Sequence, residues 1–248
     1  MQKHAYPPLS KRPYLVITFI ELALIIALVG AGTYITISGH TDWQPPFLAF
    51  IPITLILLIY LLAKKQWGTY FYGRLNKLTA RDSLDYLPLV AILAIILFSV
   101  KGIDFSSISY VGYMLLYSLL IGFVEETLFR GIILRLLVPK GKMKAIIVSS
   151  LLFAFTHALN AVGGQSAADT VMQIGYAFLI GLVLASLVVK HHALPLMIIF
   201  HALHDFFQFT GQTERTQSFV DYIIMAILLA AFLWLLPKGK YKQSAKAA

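Results

Sequence analysis

Apolar residues fall into eight runs of helix length, and polar residues gather in the gaps between them. The runs cover residues 14–37, 46–63, 86–100, 108–138, 145–162, 170–189, 194–210 and 219–236. A membrane-crossing helix needs roughly 20 apolar residues, whereas a barrel strand needs about ten in alternation. These runs do not alternate, so each predicts a helical span. The expected fold is all-α: a polytopic transmembrane helix bundle of about eight spans. It would form one body at 14–236, between a cytoplasmic segment at 1–13 and a basic cytoplasmic tail at 237–248. Pro52 lies inside the second run, as membrane helices permit. The fourth run would exceed ~40 Å as one helix, so it must tilt, break or emerge into the interface. Residues 64–85 mix Lys and Arg with Trp67, Tyr70, Phe71, Tyr72 and Leu75, a pattern that predicts an interfacial amphipathic segment.

Composition agrees with the pattern. The chain is 59% hydrophobic and only 12% charged, where a soluble domain carries about 25% charged residues. Mean hydropathy is +0.79. A multi-pass protein of the cell membrane is expected. The net charge of +9 would suggest nucleic acid in a soluble protein. Here the basic residues cluster at the ends of runs, so topology explains them better and nucleic acid is not an expected partner. With both termini cytoplasmic, only Lys101 and Arg215 of the 20 Lys and Arg residues fall outside the cytoplasmic segments and the spans leading into them. Anionic lipid head groups are the expected partner of that charge. The first long run follows a basic, Pro-containing segment and reads as a retained span. The absence of cysteine removes disulfides, thiolate catalysis and Cys-based metal sites.

Three stretches break the apolar rule: Gly122-Phe-Val-Glu125-Glu126-Thr-Leu-Phe-Arg130-Gly131, Phe153-Ala-Phe-Thr-His157 and His201-Ala-Leu-His204-Asp205. Ionisable groups at membrane depth are costly unless paired or hydrated. Counting from the basic turn at 139–144, Glu125 and His157 each lie ~20 Å along their helices; His201 lies ~10 Å and Asp205 ~16 Å past Leu194. Three helices thus offer carboxylates and imidazoles at overlapping depths. That places them in the cytoplasmic half and predicts substrate access from the inner leaflet or cytoplasm.

Facing sorts the residues further. Glu126 and Arg130 are four apart and should pair, while Glu125 points about 100° away and is free to face a cavity. His201 and Asp205 share a face, with His204 nearby, and Phe153 should stack beneath His157. Each group alone has a plain structural reading, as a satisfied buried acid, a core histidine or a local polar pair. His191 and His192, beside Lys190, read as solvated interfacial residues, and Glu21 as a helix contact or a snorkelling side chain. The shared depth of the three stretches argues against the plain reading for all of them together.

A carboxylate and two imidazoles around a buried cavity suit water activation, with Glu125 taking the proton and His157 or His201 holding the water or an oxyanion. The same four residues, Glu125, His157, His201 and Asp205, could instead ligate a divalent metal such as zinc, although no cofactor is expected. Gly-x-Ser-x-Gly, His-Glu-x-x-His and Gly-x-Gly-Asp are all absent.

The stretches resemble the three motifs of the CAAX prenyl protease and bacteriocin-processing (CPBP, or Abi) intramembrane proteases, which are related to the Ras-converting CAAX endopeptidase. Glu125-Glu126-x-x-x-Arg130, Phe153-x-x-x-His157 and His201-x-x-x-Asp205 match in order, within about residues 120–210. The resemblance implies a glutamate-dependent, metal-free endopeptidase acting on a membrane-associated or lipidated peptide. It implies Glu125, His157, His201 and Asp205 as catalytic, with Glu126, Arg130, Phe153 and His204 supporting. Some members have Asn where this chain has Asp205, and Asp can ionise or bind metal. Two other classes compete with this reading: a non-catalytic scaffold or bacteriocin self-immunity protein, and a proton-coupled transporter. No inverted repeat or matched pair of broken helices supports the transporter.

Overall fold

The computed structural model describes residues 8–38, 45–65, 67–73, 78–213 and 219–236. Residues 1–7, most of the first expected loop (39–44), positions 74–77 of the expected interfacial segment, Arg215 and the tail at 237–248 lie outside the described residues.

Among the described residues the chain is helical throughout, without a strand. Five helical stretches are long and apolar enough to cross a membrane: Pro13–Tyr34, Ala80–Ser99, Ile108–Lys140, Lys142–Val162 and Ala167–His191. Three shorter apolar helices, Ala49–Ala63, Leu194–Phe209 and Phe219–Leu235, complete the set. Large apolar side chains face outward around the bundle, Phe19, Ile26, Phe98, Phe155 and Phe219 among them. Such a surface suits lipid and not water.

The first helix, α1, is Pro13–Ser38, and α2 is Pro45–Lys64. A capped turn, α3 (Ala80–Ser83), leads into α4 (Leu87–Ser99). Thr79 closes α3 through a reciprocal capping box with Asp82. The fourth expected span stays one continuous helical stretch, Ile108–Lys140, but changes helix type along its length. Helix α5 (Ile108–Glu126), opened by Ser107 accepting from the Tyr110 amide, passes into a π-helical stretch at Thr127–Ile133 and then α6 (Leu134–Leu137). The fifth expected span is divided into α7 (Lys142–Thr156) and α8 (Leu159–Val162). Then come α9 (Ala167–His191), α10 (Leu194–Phe209) and α11 (Phe219–Leu235). His192 adopts a left-handed conformation at φ 59° and closes α9, and the proline that follows Leu194 suits the first turn of α10.

The most extensive helix pairings are α5 with α10 and α7 with α9. These elements include all three polar stretches. The two ends of the bundle are also defined. At one end Lys144 Nζ lies 5.9 Å from the Tyr14 ring. At that same end Asp85 accepts from Lys190, from His191 Nε2 at 2.7 Å and from Trp234 Nε1 at 3.3 Å. At the other end the Asp104 amide donates to the Thr210 carbonyl at 2.7 Å, and Tyr110 Oη donates to the Phe209 carbonyl at 3.1 Å.

Two expectations change here. His191 is buried and tied to Asp85, not solvated. Residues 67–72 do not lie flat in the interface: Phe71 is 2% exposed, its carbonyl accepts from the Leu194 amide at 3.0 Å, and Tyr72 Oη bonds Thr127 Oγ1. The aromatic side of an apparently interfacial stretch is a plug in the bundle.

Candidate active site

The end of α5 approaches α10 closely because Gly122 has no side chain. A Cβ there would stand 2.9 Å from the Ile198 carbonyl oxygen and 3.1 Å from the Ala202 amide nitrogen. This contact carries Glu125 and Glu126, one turn on, to His201. Glu126 and Arg130 pair at 2.9 Å with both side chains fully buried, as their spacing predicts. The same Glu126 Oε1 accepts from His201 Nδ1 at 2.8 Å, which spacing alone did not reveal.

With Nδ1–H donated to Glu126, the free ring nitrogen of His201 is Nε2. It faces Glu125 Oε2 at 3.6 Å and Asp205 Oδ2 at 3.5 Å. Three acceptors cannot share that point without repulsion, so a proton belongs there, on the imidazole or on a carboxyl group. Asp205 is held from its other side. Its Oδ1 lies 3.0 Å from His204 Nδ1, and His204 Nε2 lies 2.8 Å from Tyr176 Oη. Tyr176, on α9, gave no signal in the sequence: it is one tyrosine among 13.

Helix α7 supplies the third side. Phe153 is buried edge-on to His157, with ring centroids 4.9 Å apart, and also meets His201 at 6.0 Å. The Phe153 carbonyl accepts from His157 Nδ1 at 2.9 Å, which fixes the tautomer and leaves Nε2 as the open nitrogen. Helix α7 ends at Thr156, so His157 stands at the break before α8. The Arg130 guanidinium lies over the Phe153 ring, 4.0 Å from the centroid. Gly181 makes room for it: a Cβ there would fall 3.2 Å from Arg130 Nη2.

Arg130 belongs to the π-helical stretch. A π turn leaves backbone groups with altered partners, and such turns recur at functional sites. The Phe129 carbonyl accepts from the Leu134 amide and also from Ser149 Oγ at 2.8 Å, tying the stretch to α7. Periodicity within one chain segment cannot expose this register change.

A cavity of about 990 Å³ opens beside the cluster. Glu125, Phe153, His157, His201, His204 and Asp205 all line it, whereas Glu126 and Arg130 stand behind the wall. The cavity runs from these residues toward Thr33, Ile37, Asn160, Val162, Gln165 and Phe209. That is away from the basic turn at 139–144, the end toward which the depth count pointed access. The depth count placed the residues but carried no information on the direction of the void beside them.

Among the described residues, no three His, Asp or Glu side chains converge as a site for a metal ion. His201 and His157 each commit Nδ1 to a protein acceptor, which leaves Nε2 of each as the open nitrogen. The four residues offered to zinc by the sequence do not form a donor shell.

Fold and cluster together define a multi-pass helical membrane protein with carboxylates and imidazoles gathered around a cavity inside the bundle. Residues 107–207 match the family described as type II CAAX prenyl endopeptidase Rce1-like, which supports an assignment among the CAAX-type (CPBP) intramembrane proteases. No curated protein and no solved structure matches the chain. The match supports CAAX-type intramembrane endopeptidase activity in general, with a membrane-associated peptide or protein as substrate.

Proposed function

We propose that the chain hydrolyses a peptide bond of a membrane-associated or lipidated peptide using water activated by Glu125. The observation that supports this reading is the meeting of all three polar stretches on one cavity wall, with His201 Nε2 between Glu125 and Asp205. Glu125 takes a proton from water as the oxygen attacks the scissile carbonyl carbon. His157 Nε2, left open by the bond from Nδ1 to Phe153, is a second acceptor that orients the water. His201, steadied by Glu126 and Asp205, directs an Nε2 proton at the developing oxyanion. The carbon–nitrogen bond then breaks, and the proton held by Glu125 passes to the leaving amine. Glu126, Arg130, Phe153 and His204 act in this scheme by positioning those groups.

The test is cleavage by purified protein in detergent, offered prenylated and double-glycine peptides with and without a chelator. Glu125→Gln and His157→Ala should each abolish a chelator-insensitive cut while keeping the wild-type melting profile. Wild-type rates in both variants would end this reading. A scaffold or immunity role would instead survive in cells that carry the inactive Glu125 variant.

A further inference from the structure

The cavity lies in one half of the bundle. Helices α1, α5, α7, α9 and α10 each contribute to it, and most contributions come from one side of the Glu125–His201 floor. From α1 it takes Leu28 to Ile37, the late half of that helix; from α9 it takes residues between Met172 and Leu184, four of the six before the midpoint. From α10 it takes only residues from His201 onward. The exposed large apolar residues at its margin are Val29, Ile37, Val162 and Phe209. All of them lie toward the end where the loop at 100–107 is tied to residues 210–213.

The described basic residues lie at the opposite end. Lys11, Arg12, Lys65, Arg81, Lys140, Lys142, Lys144 and Lys190 flank helix ends there, and at the cavity end Lys101 is the one described Lys or Arg. Positive residues are retained on the cytoplasmic side during insertion. The basic end is therefore cytoplasmic, and the cavity end is not.

We infer that the site is open to the non-cytoplasmic face of the membrane and that its substrate is a peptide segment already displayed there, anchored at the outer leaflet. The substrate half of this inference rests on the proposed function; the orientation half does not. Two features of the cavity fit such a substrate. Its margin carries uncharged amides, with Asn160 Nδ2 donating to Gln173 Oε1 at 2.8 Å, groups suited to a peptide backbone. One wall is α1, the least buried of the five long spans at 11%, so an apolar anchor can remain in lipid beside it.

The chain contains no cysteine, so single cysteines report side without further engineering. Val162→Cys and Ile37→Cys mark the cavity margin, and Lys140→Cys marks the basic turn. In intact cells a membrane-impermeant maleimide should label the first two and spare the third, which should react only after permeabilisation. Labelling of Lys140→Cys in intact cells, or protection of both margin cysteines until permeabilisation, overturns the orientation. In parallel, a membrane-impermeant reporter peptide is added to right-side-out and to inverted vesicles. Cleavage only in the right-side-out preparation supports the substrate side, and cleavage only in the inverted one overturns it. Failure to cleave in both, with the labelling pattern as expected, sinks the protease reading for that peptide class and leaves the orientation standing.

Discussion

His201 Nδ1 lies 2.8 Å from Glu126 Oε1, the same oxygen that accepts from Arg130 at 2.9 Å. Adjacent glutamates on one helix thus reach opposite sides of one imidazole: Glu126 fixes its inner nitrogen, and Glu125 stands by its outer one at 3.6 Å. Helical spacing correctly separates the two carboxylates. It does not show that they meet again through a residue 75 positions along the chain.

The two glutamates should therefore fail differently. Glu126→Ala strands a fully buried guanidinium and removes the acceptor from His201. Breaking a buried ion pair from one side is destabilising by about 3–5 kcal/mol. Thermal unfolding in detergent should show a large fall for Glu126→Ala and a small change for Glu125→Gln, while cleavage is lost in both. A Glu125→Gln protein less stable than Glu126→Ala would contradict the arrangement.

Gly122→Ala should separate α5 from α10. The added Cβ meets backbone atoms at 2.9 and 3.1 Å, which cannot rotate aside. Overpacking of this kind is destabilising by about 1–3 kcal/mol, and here it also shifts Glu125 relative to His201. Gly112→Ala is the control on the same helix: nothing stands within 4 Å of its Cβ position, so stability should hold or rise. Equal behaviour of the two variants in melting and cleavage assays would sink the close-approach argument.

Much of this was legible in the residues before any coordinates. Hydropathy located the helices to within a few residues, as with the expected run 219–236 and α11 at Phe219–Leu235. The excess length of the fourth run announced an irregularity, because a bilayer limits a straight helix, and the π-helical stretch at Thr127–Ile133 lies inside that run. The gathering of Glu125, His157, His201 and Asp205 was legible from depth alone. What stayed hidden concerns neighbours across the bundle. Phe71 and His191 look interfacial because hydropathy weighs a segment's composition and not the surface opposite it. Tyr176, Ser149, Gly122 and Gly181 are ordinary residues in a membrane helix until their partners on other helices are known.

The clasp at the basic end of the bundle gives a prediction about stability without catalysis. Asp85 joins the start of α4 to α9 and α11 through Lys190, His191 and Trp234, and no residue of this cluster lines the cavity. Asp85→Ala removes the shared acceptor and leaves a buried imidazole without it, a loss of about 1–3 kcal/mol. The melting temperature should fall, while kcat/KM below the transition stays near wild type. A drop in kcat/KM of tenfold or more at low temperature would mean that the clasp reaches the site.

Gly181→Ala tests the stack behind the cavity wall. Its new methyl would press on Arg130 Nη2 at 3.2 Å and on Ser150 Cβ at 3.0 Å. Arg130 cannot retreat freely, since Glu126 holds it at 2.9 Å and the Phe153 ring lies 4.0 Å away. Any adjustment therefore moves Phe153, whose edges meet His157 and His201. Misplacing reacting groups by about 1 Å can lower a rate by ~100-fold. A loss of cleavage of at least tenfold is expected, with a smaller effect on melting than Glu126→Ala. Gly175→Ala, on the same helix, meets only the flexible Met225 Cε at 3.4 Å and should cleave normally. If Gly181→Ala keeps full activity, the guanidinium has room that this packing denies it, and the Arg130–Phe153 stack does not set the position of the histidines.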